Sequence, residues 1–456
     1  MSLYLRGRIA GREPLINDAL QAIQYLEAQG NERPVLMAYH PVARLNPYSA
    51  LLYARLWDHG IAPVSLPRFS DLDALLPLLA AGTRVILHLQ WTSDVLRQAG
   101  SEAEAKDLAE QFIAALDEFI AAGGRLTWTV HNVLPHDCRF PDVEAGLQQA
   151  VADRACLVHI LSRGTLDAAA GWFTIEPEKT VHIPHPHYLS SYPDYIPRDQ
   201  ARYDLGLLPD EIVYALVGAI QPYKGVERLL DAFDAVRGRG GRPRRLLVAG
   251  KAAEDPRTRE VLDRCLLNPH VVLRPVAVPD GEMQYYLRAA DIAVLPYHRG
   301  LNSGVLLLAL SFGLPVVAPE TLVTDEITTP GAVRTFRPDD PGGLTSALAA
   351  ADDLLTPEAR EEALRIARRY DPGEIAERFA SALGDRAAAD WPTTQPRSGD
   401  RCHVRCATAQ ASTLLLWRAD RTCCTRWCEM SINAAVSRRD SLACVSLSAA
   451  ARMLCS

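Results

Sequence analysis

The sequence predicts an α/β protein of two doubly wound domains facing a cleft. Three observations carry that expectation. Apolar runs of strand length alternate with helical patterns through most of the chain. The alternation comes as two series, divided by a Pro- and Tyr-rich connector at residues 185–199. A chain of 456 residues is also too long for one ordinary hydrophobic core. In open α/β sheets ligands gather at the carboxyl ends of the strands, on loops and helix N-termini.

The first series reads "PVLMAY" (34–39), "RVILHL" (84–89), "RLTWTV" (125–130), "ACLVHIL" (155–161) and "TVHIP" (180–184). Continuous apolar character marks these as parallel strands buried on both faces. The second series reads "IVYALVG" (212–218), "RLLVAG" (245–250), "VVLRPV" (271–276), "DIAVLPY" (291–297) and "PVVAP" (315–319). Domains are therefore expected over residues 1–190 and 200–370. A last helix is expected over 371–391, with Asp371 as N-cap and Pro372 at the first helical position; it is expected to cross back to the first domain.

Composition narrows the function. A net charge of −7 argues against a nucleic-acid binder that relies on bulk attraction to phosphate. Residues 1–14 hold Arg6, Arg8 and Arg12 but no apolar core, so no secretory signal is expected. Gly313 and Pro315 interrupt the longest apolar run, which suits a soluble helix followed by a strand. A cytoplasmic protein follows. Residues 1–390 contain three cysteines and residues 391–456 contain seven. The segment 392–456 shows no sustained period and reads as a disordered or non-native Cys/Arg-rich tail. The alternative is a zinc module on Cys402, His403, Cys406, Cys423, Cys424 and Cys428, although that spacing fits no standard finger.

Two loops of the second series carry chemistry. In "VGAIQPYKGVERLLDAF" a strand ends at Gly218, and Lys224-Gly225 precedes a helix. Gly225 permits close backbone approach, and Lys224 offers a point charge to a phosphate. In "RGLNSGVLLLALSFGLPVVAPE" (299–320) a polar turn opens onto an apolar helix. Backbone N–H groups near Ser303, its hydroxyl and the helix dipole make a diphosphate cradle. Gly304 removes a side chain where the phosphate approaches, and Gly313 caps the buried helix.

Together "VG…YKG…LLDAF", "LLVAG", "ADIAVLPY" and "SGVLLLALSFGLPVVAP" resemble, in order and spacing, GT-B-fold glycosyltransferases, whose two Rossmann-like domains face a cleft. The resemblance covers roughly residues 30–390. It implies a C-terminal domain that binds a nucleotide sugar, using Gly218, Lys224, Gly225, Asn302, Ser303, Gly304 and Glu320. "HPVARLNPYSALLYARLWDHG", "HLQW" and "TVHNVLPHD" are similar to bacterial transferases that assemble lipid-linked exopolysaccharide repeats. In those enzymes this face receives the acceptor, which points to His40, Asn46, Tyr48, Asn132 and His136, with Arg44 on the same loop.

The chain departs from the common retaining relatives, whose two glutamates are replaced here by Leu301 and Ala309. The arginine usual beside the Lys-Gly loop is missing as well, at Ala219, Ile220 and Gln221. These departures favour inversion, which needs a general base in the N-terminal domain. His131 follows a strand, and its ordinary pKa suits the task; Asp137 and Asp94 are the other candidates. The expected reaction moves a hexose from a nucleotide diphosphate sugar, GDP-mannose first, to a saccharide acceptor carried on a lipid. Neither metal nor cofactor is expected, and peripheral contact with the membrane is. A sugar-nucleotide epimerase and a non-catalytic binding partner share the fold as alternatives.

Overall fold

The computed structural model describes residues 12–43, 46–135, 138–297, 304–327, 331–388 and 391. Its first half is a six-stranded parallel sheet, ordered β2-β1-β3-β4-β5-β6. The strands are β1 (Val35–His40), β2 (Ile61–Ser65), β3 (Arg84–Leu89), β4 (Arg125–Val130), β5 (Leu157–Ile160) and β6 (Thr180–His182). The second half repeats the plan as β12-β11-β10-β7-β8-β9. Its strands are β7 (Ile212–Val217), β8 (Arg244–Ala249), β9 (Val271–Arg274), β10 (Ile292–Val294), β11 (Val316–Pro319) and β12 (Val333–Phe336). Both halves are thus doubly wound α/β units, and strand order reverses between β1 and β3 and between β7 and β10. Those two points are where ligands are expected.

The apolar runs become central strands because both sheet faces are covered. β7 is buried along its whole length, and Val85, Ile86 and Leu87 of β3 are fully buried. Two expected elements differ in extent. The strand expected over 291–297 pairs only over Ile292–Val294. Leu295 still donates to the Val317 carbonyl, but Pro296 has no N–H to continue the ladder. The helix expected over 371–391 is α-helical over Pro372–Ala382 and then π-helical over Leu383–Ala388.

Asp371 caps that helix, its carboxylate accepting from the Gly373 and Glu374 amides at 2.8 and 3.0 Å. Ile375 and Phe379 pack into the first half, in a cluster with Met37, Tyr39, Tyr53 and Leu56. The apolar stretch of the second half forms the helix Gly304–Ser311, buried from Leu306 to Ser311. It ends at Gly313, left-handed at φ 67°, which leaves that carbonyl end capped without a Cβ clash. Among the described residues no helix is long and apolar enough to cross a membrane. The segment 392–456 lies outside the described residues, apart from which Trp391 stacks under the Arg125 guanidinium.

Candidate active site

At the β7/β10 reversal, glycines let three backbone segments meet. Gly250 has φ 151°, and a Cβ there would stand 1.8 Å from the Gly218 carbonyl oxygen. The turn Pro222–Lys224 ends in left-handed Gly225, φ 69°. A Cβ on Gly225 would lie 2.3 Å from the carbonyl oxygen of Pro296, just past β10. Only glycine fits, so the loop is pinned against the strand end. This delivers the Lys224 ammonium to 3.9 Å from the Tyr297 ring centroid, where burial pulls its pKa down. The helix Gly304–Ser311 starts beside it, since Val305 lies 3.8 Å from the position a Gly218 Cβ would take.

The structure therefore brings together Gly218, Lys224, Gly225 and the helix start at Gly304. Glu320 is exposed past β11, its amide donating to the Phe336 carbonyl at 2.9 Å. Asn302 and Ser303 lie outside the described residues, as do Leu301, Arg44, His136 and Asp137. Gly304 is also approached closely from the connector. A Cβ there would meet the Tyr188 hydroxyl at 3.1 Å and His185 Nε2 at 3.2 Å. The missing side chain makes room for these two residues of the connector.

Across the cleft, His131 follows β4 and is half-buried. The Trp91 ring stacks on it at 4.2 Å and 17°, and the Tyr48 ring meets it edge-on at 5.2 Å. Its Nε2 lies 2.9 Å from Gln90 Oε1. Burial, with His159, His185 and His88 nearby, pushes the His131 pKa well below the usual value. The expectation of an ordinary pKa is thereby overturned: the ring is held neutral, not poised near pH 6.5. A neutral imidazole can still accept a proton when an alcohol beside it turns acidic in the transition state.

A small open pocket lies beside the ring, with Trp91, Thr92, Asn132 and Gln148 among its walls. His40 ends β1, its Nδ1 donating to the Leu66 carbonyl at 2.8 Å. Asn46 accepts from the Tyr48 amide at 3.0 Å and lies 3.2 Å from the Tyr188 hydroxyl. Tyr48, expected on an open loop, is 1% exposed. It opens the short helix Tyr48–Leu52 and packs 4.7 Å from the His185 ring. Its buried hydroxyl has no partner among the described residues. Asp94 is exposed and paired with Arg97. Leu52 and Leu56, in the segment that follows Tyr48, are fully buried in the core.

Several residues here were not singled out from the sequence. His185 and Tyr188, read as connector, touch the start of the second-half helix; burial pushes the His185 pKa down to about 4. Glu326, on the helix Leu322–Ile327, reaches the first half, accepting from Ser162 Oγ at 2.8 Å and the Arg163 amide at 2.5 Å. His88 and His159 lie fully buried within β3 and β5. The available signal was a polar residue in each of three adjacent apolar strands, "ILHL", "TWTV" and "LVHI". Buried polar groups need partners, so three in neighbouring strands imply a network.

Comparison with known proteins gives this geometry a chemical class. Residues 211–352 match the family model described as "Glycosyl transferases group 1". A GDP-mannose:glycolipid 4-beta-D-mannosyltransferase of Xanthomonas campestris pv. campestris is 29% identical over 301 residues, 63% of this chain and 74% of that protein. A D-inositol 3-phosphate glycosyltransferase of Geodermatophilus obscurus is 31% identical over 266 residues, 54% of this chain and 56% of that one. Among solved structures, sucrose-phosphate synthase of Thermosynechococcus elongatus superposes with a TM-score of 0.60 at 15% identity, covering 78% of this chain and 100% of that one. Anabaena HepE, solved with UDP, gives 0.56 at 15% identity, covering 77% and 100%. At such identities the likeness shows the fold, which is GT-B. The chain is a glycosyltransferase.

Proposed function

We propose that this enzyme transfers mannose from GDP-mannose to the sugar of a glycolipid acceptor, with inversion at the anomeric carbon. The observation that carries the reading is the extent of the mannosyltransferase alignment: 301 residues is longer than either sheet-bearing half, so the likeness includes both sides of the cleft. The glycosyl transferases group 1 match, by contrast, lies within the second half. A β product from an α-linked nucleotide sugar requires attack from the opposite face, hence a base on the acceptor side.

In this reading Lys224 and the backbone N–H groups at the start of the helix Gly304–Ser311 hold the departing diphosphate. Gly218 and Gly225 let the backbone approach it, and Asn302, Ser303 and Glu320 complete the donor side. His131 takes the proton of the acceptor hydroxyl, and acceptor binding falls to His40, Asn46 and Asn132, with His136 assigned to it from the sequence. The chemistry asks for no metal: ammonium and helix dipole supply the positive field. Acceptance of a glycolipid brings the protein to the surface of a membrane.

A binding screen and one variant test this. GDP and GDP-mannose should raise the melting temperature where UDP and UDP-glucose do not. His131→Ala should lower turnover about a hundredfold or more while keeping GDP affinity. Stabilisation by UDP alone, or near-normal turnover in the variant, would remove the donor and the base respectively.

A further inference from the structure

The buried polar residues of the first sheet form a single chain of hydrogen bonds that ends on His131. The Ile183 carbonyl can only accept, so His159 Nε2, 2.7 Å away, carries a proton. His159 is neutral, its pKa pushed down to about 4 by burial, so its Nδ1 must accept. Thr129 therefore donates to it at 3.0 Å. The Thr129 oxygen then accepts from His88 Nε2 at 2.8 Å. His88, also neutral with a pKa near 3 through burial, accepts at Nδ1 from the Tyr53 hydroxyl at 2.8 Å. With that proton committed, the Tyr53 oxygen accepts from Gln90 Nε2. This orients the Gln90 amide so that Oε1 faces His131 Nε2 at 2.9 Å and accepts its proton.

We propose that this one-way chain, Ile183–His159–Thr129–His88–Tyr53–Gln90, fixes His131 in the Nε2–H tautomer and so makes Nδ1 the nitrogen that takes the acceptor proton. Gln90, Tyr53, His88, Thr129 and His159 are positioning residues. The inference rests on the reading of His131 as the base. Every link is sealed from water: His88, Gln90, Thr129 and His159 are 0% exposed and Tyr53 is 1% exposed. Phe379, from the C-terminal helix, covers His88 at 5.2 Å and His159 at 5.3 Å, ring to ring. With no water to offer a substitute partner, one carbonyl dictates the direction of all the bonds. A free imidazole in water keeps both tautomers in exchange; here a reversal of any link leaves two donors or two acceptors face to face.

The test is the tautomer itself. In protein labelled with 15N-histidine, long-range 1H–15N correlations at pH 7, assigned with His131→Gln, should show His131 protonated at Nε2. Thr129→Val removes the hydroxyl that joins His159 to His88 and lets the rest of the chain reverse. It should give His131 protonated partly or wholly at Nδ1 and a kcat lowered about tenfold or more, with KM for the nucleotide sugar within about twofold. Thr129→Ser, which keeps the hydroxyl, should restore both. Wild-type His131 protonated at Nδ1 overturns the proposal whether or not the valine variant folds, as does an unchanged tautomer in Thr129→Val. Normal turnover in His131→Ala, with the Nε2–H tautomer observed, would instead remove the base while leaving the chain of bonds in place.

Discussion

At the scale of single residues, histidine in this protein behaves as a neutral polar group. His88 and His159 have folded pKa values near 3 and 4, against an ordinary value of 6.5, because burial penalises the imidazolium. The unfolded chain therefore binds protons at these positions before the folded chain does. Their contribution to stability is full above about pH 6.5 and is lost as pH falls toward 4. Two such groups give a slope of about 2.7 kcal/mol per pH unit below pH 6. Between pH 7 and pH 5 these two rings alone should account for about 4 kcal/mol of the stability lost in urea unfolding, with His131 and His185 adding to it; an unchanged midpoint would mean that the rings are not held neutral.

In the proposed reading Lys224 is the other decisive side chain. Seated over Tyr297 and partly stripped of water, its ammonium is ready for an anion. Lys224→Ala should weaken GDP binding by about 1.5–3 kcal/mol, the scale of a hydrogen bond to a charged group. Calorimetric titration reads this directly, and equal affinities would remove the phosphate role.

Among elements, the turn Pro222–Gly225 shows how a glycine builds a site. Gly225 and Gly82 both have positive φ, 69° and 88°, so each would strain an alanine by about 1 kcal/mol or more. They differ in surroundings. Nothing stands within 4 Å of a Cβ at Gly82, whereas one at Gly225 would strike the Pro296 carbonyl. Gly82→Ala should cost about 1 kcal/mol and spare GDP binding. Gly225→Ala should cost more than about 2 kcal/mol and weaken GDP binding as the loop is pushed off β10. Equal losses in denaturant melts of the two variants would mean that the close approach is not what holds this loop.

Elements were also what the sequence made most legible. Parallel strands such as "RVILHL" and "IVYALV" stood out because burial on both faces leaves an unbroken apolar run. Lys224-Gly225 and the polar turn before the apolar helix were visible because φ, charge and helix start are local properties. His185 and Tyr188 escaped notice for the opposite reason. They belong to a connector with no period, and only the packing of the two halves sets them against Gly304. The depressed pKa of His131 was equally invisible, since it follows from Trp91, Tyr48 and buried histidines on other strands.

For the whole molecule, the same logic makes the site a product of contacts between distant segments. Glu326 joins its helix to Ser162 and Arg163, the C-terminal helix returns Phe379 to the first sheet, and Asn46 and Tyr188 meet between them. In the proposed reading, Lys224 past β7 acts on the departing diphosphate and His131 past β4 acts on the acceptor hydroxyl, from opposite faces of the transferred sugar, as inversion requires. The most direct test is the anomeric configuration of the product. The enzyme, GDP-mannose and a glycolipid acceptor should yield GDP and a β-mannoside, identified by the one-bond C1–H1 coupling of the new residue. An α-mannoside as the product would contradict the account.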